Sequence, residues 1–109
     1  MLVRKPFVGS FDVVDAQAPD RALCRVNDSV VQIGPADKEH GWHMHATEDK
    51  FFYVVEGGFR IELEEKTVEL GAKQAFTVPK GVMHRTRKAV EHTVMLIVGS
   101  AGPELLHAS

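Results

Sequence analysis

The sequence predicts an all-β fold, a sandwich or a small barrel of short strands, from two observations. Apolar residues alternate with polar ones, or run continuously, over segments of roughly four to eight residues, which is the length and pattern of strands. Glycine- and proline-containing breakers separate these segments at short intervals, as at Gly34-Pro35, Pro79-Lys80-Gly81 and residues 99–103. No long stretch has the apolar period of a helix, so the prediction includes no extended helix.

The strands are predicted in chain order from these patterns. Residues 11–14 form the first candidate. Residues 22–33 alternate loosely, and Asn27-Asp28 indicates a turn inside them, because both residue types tolerate turn conformations. Residues 51–55 and 93–98 are continuous apolar runs rich in aromatic and β-branched residues, which is typical of strands covered on both faces.

The middle of the chain carries the clearest alternation. Residues 58–64 and 67–70 predict two half-buried strands joined by a tight turn, with the charged residues 62–66 in a solvated hairpin. Gly57-Gly58 lies between two strand patterns and predicts a further hairpin there. Ala75–Val78 is another short strand, ended by a proline.

Length and composition narrow the function classes. At 109 residues the chain is predicted to be a single domain over residues 1–109. A formal net charge of −2 gives no basic surface, so nucleic acid is not an expected partner. The lone Cys24 excludes an internal disulfide and a thiolate zinc cluster and fits a reducing compartment. No apolar run is long enough to span a membrane, and the N-terminal sequence does not read as a signal peptide, so a cytoplasmic location is expected.

Three histidines are the candidate metal ligands of the sequence. His43 and His45 are two residues apart, and on a strand such residues point to the same side. His84 follows residues 79–83, where proline and glycine turn the chain and can aim it from an adjacent strand. Converging imidazoles suit Zn²⁺, Fe²⁺, Mn²⁺, Ni²⁺ or Cu²⁺. The alternative for the first two is that they are polar residues at a strand edge.

Two segments resemble a known family. Residues 41–45 (GWHMH) and 49–57 (DKFFYVVEG) resemble the first cupin motif, HxH…E…G, and residues 78–84 (VPKGVMH) resemble the second, PxGxxH. The resemblance covers residues 34–98, and the motifs follow in the family's order. It implies a double-stranded β-helix, or jelly-roll barrel. It also implies a metal held by both first-motif histidines, a glutamate and the second-motif histidine.

One of the four implied ligands is missing. His43, His45 and His84 match the motif histidines, but Lys50 stands where the motif has its glutamate. An ammonium there repels a divalent ion, so three outcomes are open. Three histidines and water hold the ion, Glu48 replaces the lost ligand, or the metal is absent and Lys50 pairs with an acid. A further reading makes Lys50 a nucleophile, because a desolvated lysine near positive charge can form a Schiff base.

The orientation of neighbouring side chains follows from the same parity argument. Phe52 and Val54 share the side of Lys50 and are predicted to line its cavity. His40 is placed in a loop at the barrel mouth, and His92 is predicted to face outward. Trp42 lies on the opposite side from its histidine neighbour and is predicted to pack rather than to contact a ligand.

Three functions fit these predictions. The first is a metal-dependent enzyme, an oxygenase, isomerase or decarboxylase, acting on a small polar metabolite in the barrel. The second is a non-catalytic binding module for a small molecule, with or without metal. The third is a structural homodimer with a degenerate site, and pairing through residues 7–14 would cover exposed sheet edges. A homodimer is expected in either a catalytic or a non-catalytic protein.

Overall fold

The computed structural model describes residues 22–100, and over this range the protein contains nine strands and no helix. The all-β prediction is therefore confirmed for this part of the chain. No segment of the described range is a helix able to cross a membrane. The predicted strand at residues 11–14, and the dimer segment 7–14, lie outside the described residues. The strands are β1 (Ala22–Val26), β2 (Ser29–Pro35), β3 (His40–His43), β4 (Lys50–Glu56), β5 (Gly58–Leu63), β6 (Thr67–Gly71), β7 (Ala75–Val78), β8 (His84–Lys88) and β9 (Val94–Ser100).

The strands form two antiparallel sheets. One sheet has the order β1-β2-β9-β4-β7, and the other has the order β3-β8-β5-β6. Consecutive strands often lie in different sheets, so the chain crosses repeatedly between the two layers, as in the predicted jelly roll.

The hydrophobic core lies between the sheets, where the inward side chains of both layers meet. Phe52 of the five-stranded sheet and Phe59 of the four-stranded sheet stack with ring centroids 5.6 Å apart. The remaining members of the buried cluster are Val54, Ile61, Leu70, Val78 and Met95. Burial of these apolar side chains is the main favourable term that holds the layers together.

Two turns are where the sequence predicts them. Asn27 adopts a positive φ of 52° between β1 and β2, where Val26 pairs with Ser29 across a two-residue turn. β5 and β6 pair from Gly58 with Gly71 to Glu62 with Thr67, so the predicted charged hairpin is also confirmed.

The hairpin predicted at Gly57-Gly58 is wrong. β4 pairs with β7 and β9, whereas β5 pairs with β6 and β8, so the chain passes here from one sheet to the other. Gly57 has a φ of 94°, and a Cβ at this position would lie 2.4 Å from the His92 carbonyl oxygen. The glycine therefore permits a tight corner against the opposite backbone, and local sequence does not distinguish such a corner from a hairpin turn.

Candidate metal centre

Two of the three motif histidines are cross-strand neighbours. β3 ends at His43 and β8 begins at His84, and the two residues pair across the antiparallel ladder. Side chains opposite each other on one face of such a pair are within contact distance. Their ring centroids are 4.3 Å apart. Strand pairing therefore brings together residues from the two distant motifs.

The third histidine reaches the same point from a loop. His45 was expected to share a strand with His43, but β3 ends before it, so that expectation is wrong. The His45 ring lies 5.0 Å from the His43 ring and 5.5 Å from the His84 ring, centroid to centroid. The Gly81 N–H donates to the His45 carbonyl at 2.8 Å, which holds the two motif loops together. The potential ligand atoms of the three histidines all lie within 4.8 Å of one another.

Backbone carbonyls orient two of the rings. His43 Nδ1 is 2.6 Å from the Gly41 carbonyl, and His84 Nδ1 is 2.8 Å from the Val82 carbonyl. Because a carbonyl only accepts, each Nδ1 carries a proton, which leaves Nε2 as the ring nitrogen that can bind an ion. Such a hydrogen bond from the distal ring nitrogen is the usual arrangement of a metal-binding histidine.

His84 provides the strongest local signal. It is fully buried in the barrel, and its Nε2 has no hydrogen-bond partner among the described residues. A buried polar atom without a partner is uncommon, since leaving it unsatisfied costs about 1–3 kcal/mol. An ion at the histidine cluster would give this lone pair a partner.

The surroundings keep two imidazoles neutral. Burial lowers the pKa of His45 below its ordinary value of 6.5, and Lys50 lowers it further, partly offset by Glu48. Burial also lowers the pKa of His84, against the hydrogen bond to Val82. A neutral imidazole is the form that binds a metal ion, so both rings are ready to bind at neutral pH.

Glu48 and Lys50 form an ion pair beside the cluster. Glu48 Oε2 lies 3.6 Å from Lys50 Nζ and 3.6 Å from His45 Nδ1. Its other oxygen accepts hydrogen bonds from the Ser100 N–H at 2.6 Å and the Ser100 hydroxyl at 3.2 Å. Glu48 is not one of the residues whose ligand atoms converge. The structure thus contains both an ion pair between Lys50 and an acid, Glu48, and a group of three histidines whose ligand atoms converge.

Gly99 makes room for this pair at the end of β9. A Cβ at position 99 would lie 2.6 Å from Glu48 Oε1 and 3.1 Å from Lys50 Cδ. The sequence marks residues 99–103 only as a breaker and does not predict that Gly99 or Ser100 contacts the site. The contact between Ser100 and Glu48 spans 52 positions, and no local pattern records it.

A cavity of about 160 Å³ adjoins the histidine cluster. His43, His45 and Lys50 lie in its polar wall, together with His40. The apolar part of the wall is formed by Phe52, Phe59, Met95 and Ile97. The lining thus combines ionisable side chains, Asp37 and Lys38 also among them, with apolar ones, and the placement predicted for Phe52 is correct. Val54 packs in the core instead of in the cavity wall.

The other candidates lie outside the cluster. His40 is part of β3 rather than a loop and lies at the cavity. His92 faces outward as predicted, with its side chain 80% exposed and its Nε2 2.6 Å from Glu56 Oε1. Trp42 is exposed on the outside of β3, where the Arg85 guanidinium lies 5.0 Å from its ring centroid.

Comparison with known proteins gives three kinds of match. The family model described as the cupin domain matches residues 29–99. A Bacillus subtilis (strain 168) protein named "Uncharacterized protein YdbB" is 38% identical over 78 residues, which cover 71% of this chain and 68% of that protein.

Solved structures confirm the jelly-roll fold. A cupin-2 domain protein from Shewanella frigidimarina NCIMB 400 is 29% identical, with a TM-score of 0.63, covering 74% of this chain and 80% of that one. KdgF from a Halomonas species is 23% identical, with a TM-score of 0.67, covering 89% of this chain and 97% of that one. At the lower identity the likeness shows the fold alone.

Proposed function

The chain belongs to the cupin family, and on that premise we propose that it binds a divalent transition metal through His43, His45 and His84. The adjoining cavity then binds or converts a small polar metabolite. The observation that carries this proposal is the buried Nε2 of His84, which has no partner among the described residues.

The donor set fits such an ion. Two imidazoles are fixed by their Nδ1 hydrogen bonds to backbone carbonyls, so their orientation is set before an ion arrives. Three neutral nitrogen ligands with open positions suit Zn²⁺, Fe²⁺, Mn²⁺ or Ni²⁺. A bound ion would supply Lewis-acid chemistry at an oxygen of the ligand.

The cavity supports an enzyme that uses the metal on a small molecule, as an oxygenase, isomerase or decarboxylase. The chain's own contribution is to orient the imidazoles and to surround the ligand with Phe52 and Phe59, which exclude water. We place this activity in the cytoplasm, consistent with the single free Cys24, and in a homodimer that covers the sheet edges.

A second candidate function follows from the ion pair of Lys50 with Glu48. This pair leaves a positively charged group where related motifs carry a ligand carboxylate. A metal-free barrel that binds a small molecule without converting it, or that serves as a structural dimer, is compatible with this arrangement. The unpartnered His84 Nε2 favours the metal-binding alternative.

Elemental analysis of protein purified without a metal-affinity tag tests the choice. We expect about one Zn, Fe, Mn or Ni per chain in the wild type, and its loss in His84→Ala, because that variant removes a cluster ligand. His92→Ala is the matched control, since this exposed histidine lies outside the cluster, and it should retain the metal. Absence of metal, together with no thermal shift on adding any divalent ion, would favour the second candidate.

A further inference from the structure

Lys50 occupies an unusual place for a lysine. It begins β4 with the same parity as Phe52, and it lies in the wall of the cavity beside His43 and His45. Its side chain is only 19% exposed. Its charge is also one of the causes that lower the pKa of His45 and of His84, so the ammonium acts electrostatically on the histidine cluster.

The counter-ion of Lys50 is only partly available to it. Ser100 holds one oxygen of Glu48 through two hydrogen bonds. The other oxygen lies 3.6 Å from Lys50 Nζ, which is longer than a hydrogen bond. Among the described residues, Lys50 makes this ion pair and no hydrogen bond. The three N–H donors of the ammonium therefore remain available to a ligand in the cavity.

The charge of the proposed site also favours a negatively charged ligand. Imidazole ligands carry no negative charge, so a divalent ion held by the three histidines would keep both of its charges uncompensated, because no carboxylate belongs to the ligand group. The Glu48 carboxylate offsets the charge of Lys50 and not that of the ion. The cavity lining itself carries two ammonium groups, Lys38 and Lys50, against one carboxylate, Asp37. This excess of positive charge, increased by a bound ion, would attract an anion, and a carboxylate is an anion that an ammonium can hydrogen-bond.

The size and lining of the cavity limit the rest of the ligand. Its volume of about 160 Å³ is close to that of protein cavities of about 150 Å³ that hold one benzene molecule. The lining also includes the apolar side chains of Phe52, Phe59 and Met95. The complementary ligand therefore has a single charged end and a small apolar body.

We propose that Lys50 binds the carboxylate of a small organic acid whose apolar body fills the cavity beside the histidine cluster. The inference rests on the proposed function, since it names the ligand class of the same cavity. Lys50 is then a specificity residue. The presence of a lysine where the motif has a glutamate determines that the barrel accepts a negatively charged ligand.

Calorimetric titration with benzoate and benzamide tests the inference. The two probes have the same shape, and only benzoate carries a charge. Zinc-loaded wild-type protein should bind benzoate about tenfold or more tightly than benzamide, as expected for a hydrogen bond to a charged group. Lys50→Met, which keeps the length of the side chain, should reduce this preference about tenfold, to the part that the zinc ion alone supplies, whereas Lys50→Arg should retain it.

Glu48→Gln is an independent variant that should change the affinity for benzoate in the opposite direction to Lys50→Met. Removing the competing carboxylate frees the Lys50 ammonium, so benzoate should bind more tightly than to the wild type, while benzamide binding should not change. This variant decides the question if thermal unfolding shows that Lys50→Met does not fold. Unchanged or weaker benzoate binding in Glu48→Gln would then overturn the inference.

Parallel titrations of chelator-treated protein separate this inference from the proposed function. A Lys50-dependent preference for benzoate in a protein that takes up no Zn²⁺ upholds the inference and refutes the metal site. Uptake of Zn²⁺ without any preference for benzoate, or with a preference that Lys50→Met leaves unchanged, upholds the metal site and overturns the inference.

Discussion

The barrel interior and the outer face of the four-stranded sheet differ in how their polar groups are paired, and β8 contributes to both. His84 and Thr86 point inward and are buried, whereas the intervening Arg85 points outward. Outside, Arg85 Nε and Nη2 donate to Glu62 Oε1 at 2.9 and 2.7 Å. Inside, His84 Nε2 has no partner among the described residues.

The difference separates a structural use of polar residues from a functional one. On the outer face, charges from neighbouring strands satisfy one another, as Arg60 and Glu69 also do at 2.9 Å. Such exposed pairs each contribute about 0–1 kcal/mol and complete a solvated surface. In the interior, the lone pair left unsatisfied is the one that a ligand can use. Three substitutions or conditions sharpen this contrast, from the largest expected effect to the smallest.

Restoring the motif carboxylate by Lys50→Glu should have the largest effect. The change removes an ammonium and adds a negatively charged oxygen beside three neutral ligands, so Zn²⁺ should bind at least about tenfold more tightly. Competition with a chromophoric chelator measures the affinity. Lys50→Gln isolates the loss of positive charge and should give an intermediate value. Unchanged or weaker binding in both variants would mean that position 50 does not face the ion.

As the pH falls, the stabilisation from the buried histidines should be lost at a higher pH than the stabilisation from the Glu62–Arg85 pair on the outer face. The pKa values of His45 and His84 lie below 6.5 in the fold, so below pH 6.5 the unfolded chain takes up protons that the folded chain does not. The free energy of unfolding of metal-free protein therefore falls as the pH drops from 6.5. Hydrogen bonding from Arg85 lowers the pKa of Glu62 below 4.5, so its contribution is lost only below that pH.

Urea unfolding at a series of pH values separates the loss of stability that begins near pH 6.5 from the loss that begins below pH 4.5. Arg85→Ala should diminish the loss below pH 4.5 and leave the loss that begins near pH 6.5 unchanged. A free energy of unfolding that is constant between pH 6.5 and 4.5 would contradict the assignment of buried, neutral histidines.

Arg85→Ala at neutral pH should have the smallest effect. The variant loses an exposed ion pair with Glu62 and a cation–π contact with Trp42, so the free energy of unfolding should decrease only slightly. Urea unfolding measures this loss, and uptake of Zn²⁺ should match the wild type. Loss of metal uptake would show that the two faces of the sheet are energetically coupled.

Local sequence predicts the positions of the strands better than it predicts which strands and side chains come into contact. Alternation identified the strand that became β5 and the side of β4 on which Phe52 lies, because side-chain parity is a property of the strand itself. The histidine motifs identified the three rings that the structure brings together. Spacing alone placed His45 on a strand, although the geometry of a loop delivers it to the cluster.

The errors arise where distant segments decide the outcome. Gly57 carries the same signal in a hairpin as in a corner between sheets, and only the positions of β7, β8 and β9 determine which one forms. Pairing of Lys50 with an acid is one of the alternatives that the sequence leaves open, but it does not identify that acid as Glu48. The contribution of Ser100 depends on the end of β9 approaching the loop before β4. No pattern in a single sequence records such an approach.

The position of β3 at the margin of its sheet has a consequence for exchange at the histidine cluster. Among the described strands β3 pairs with β8 alone, and its register shifts between His40 and His43. Marginal strands with few ladder bonds open at lower free energy than the rest of a fold. Detachment of β3 would move His43 away from His84, whereas His45 lies beyond the strand in a loop held by the Gly81 N–H. If an ion binds at the cluster, its entry and escape would therefore require only this local opening and not the unfolding of the barrel.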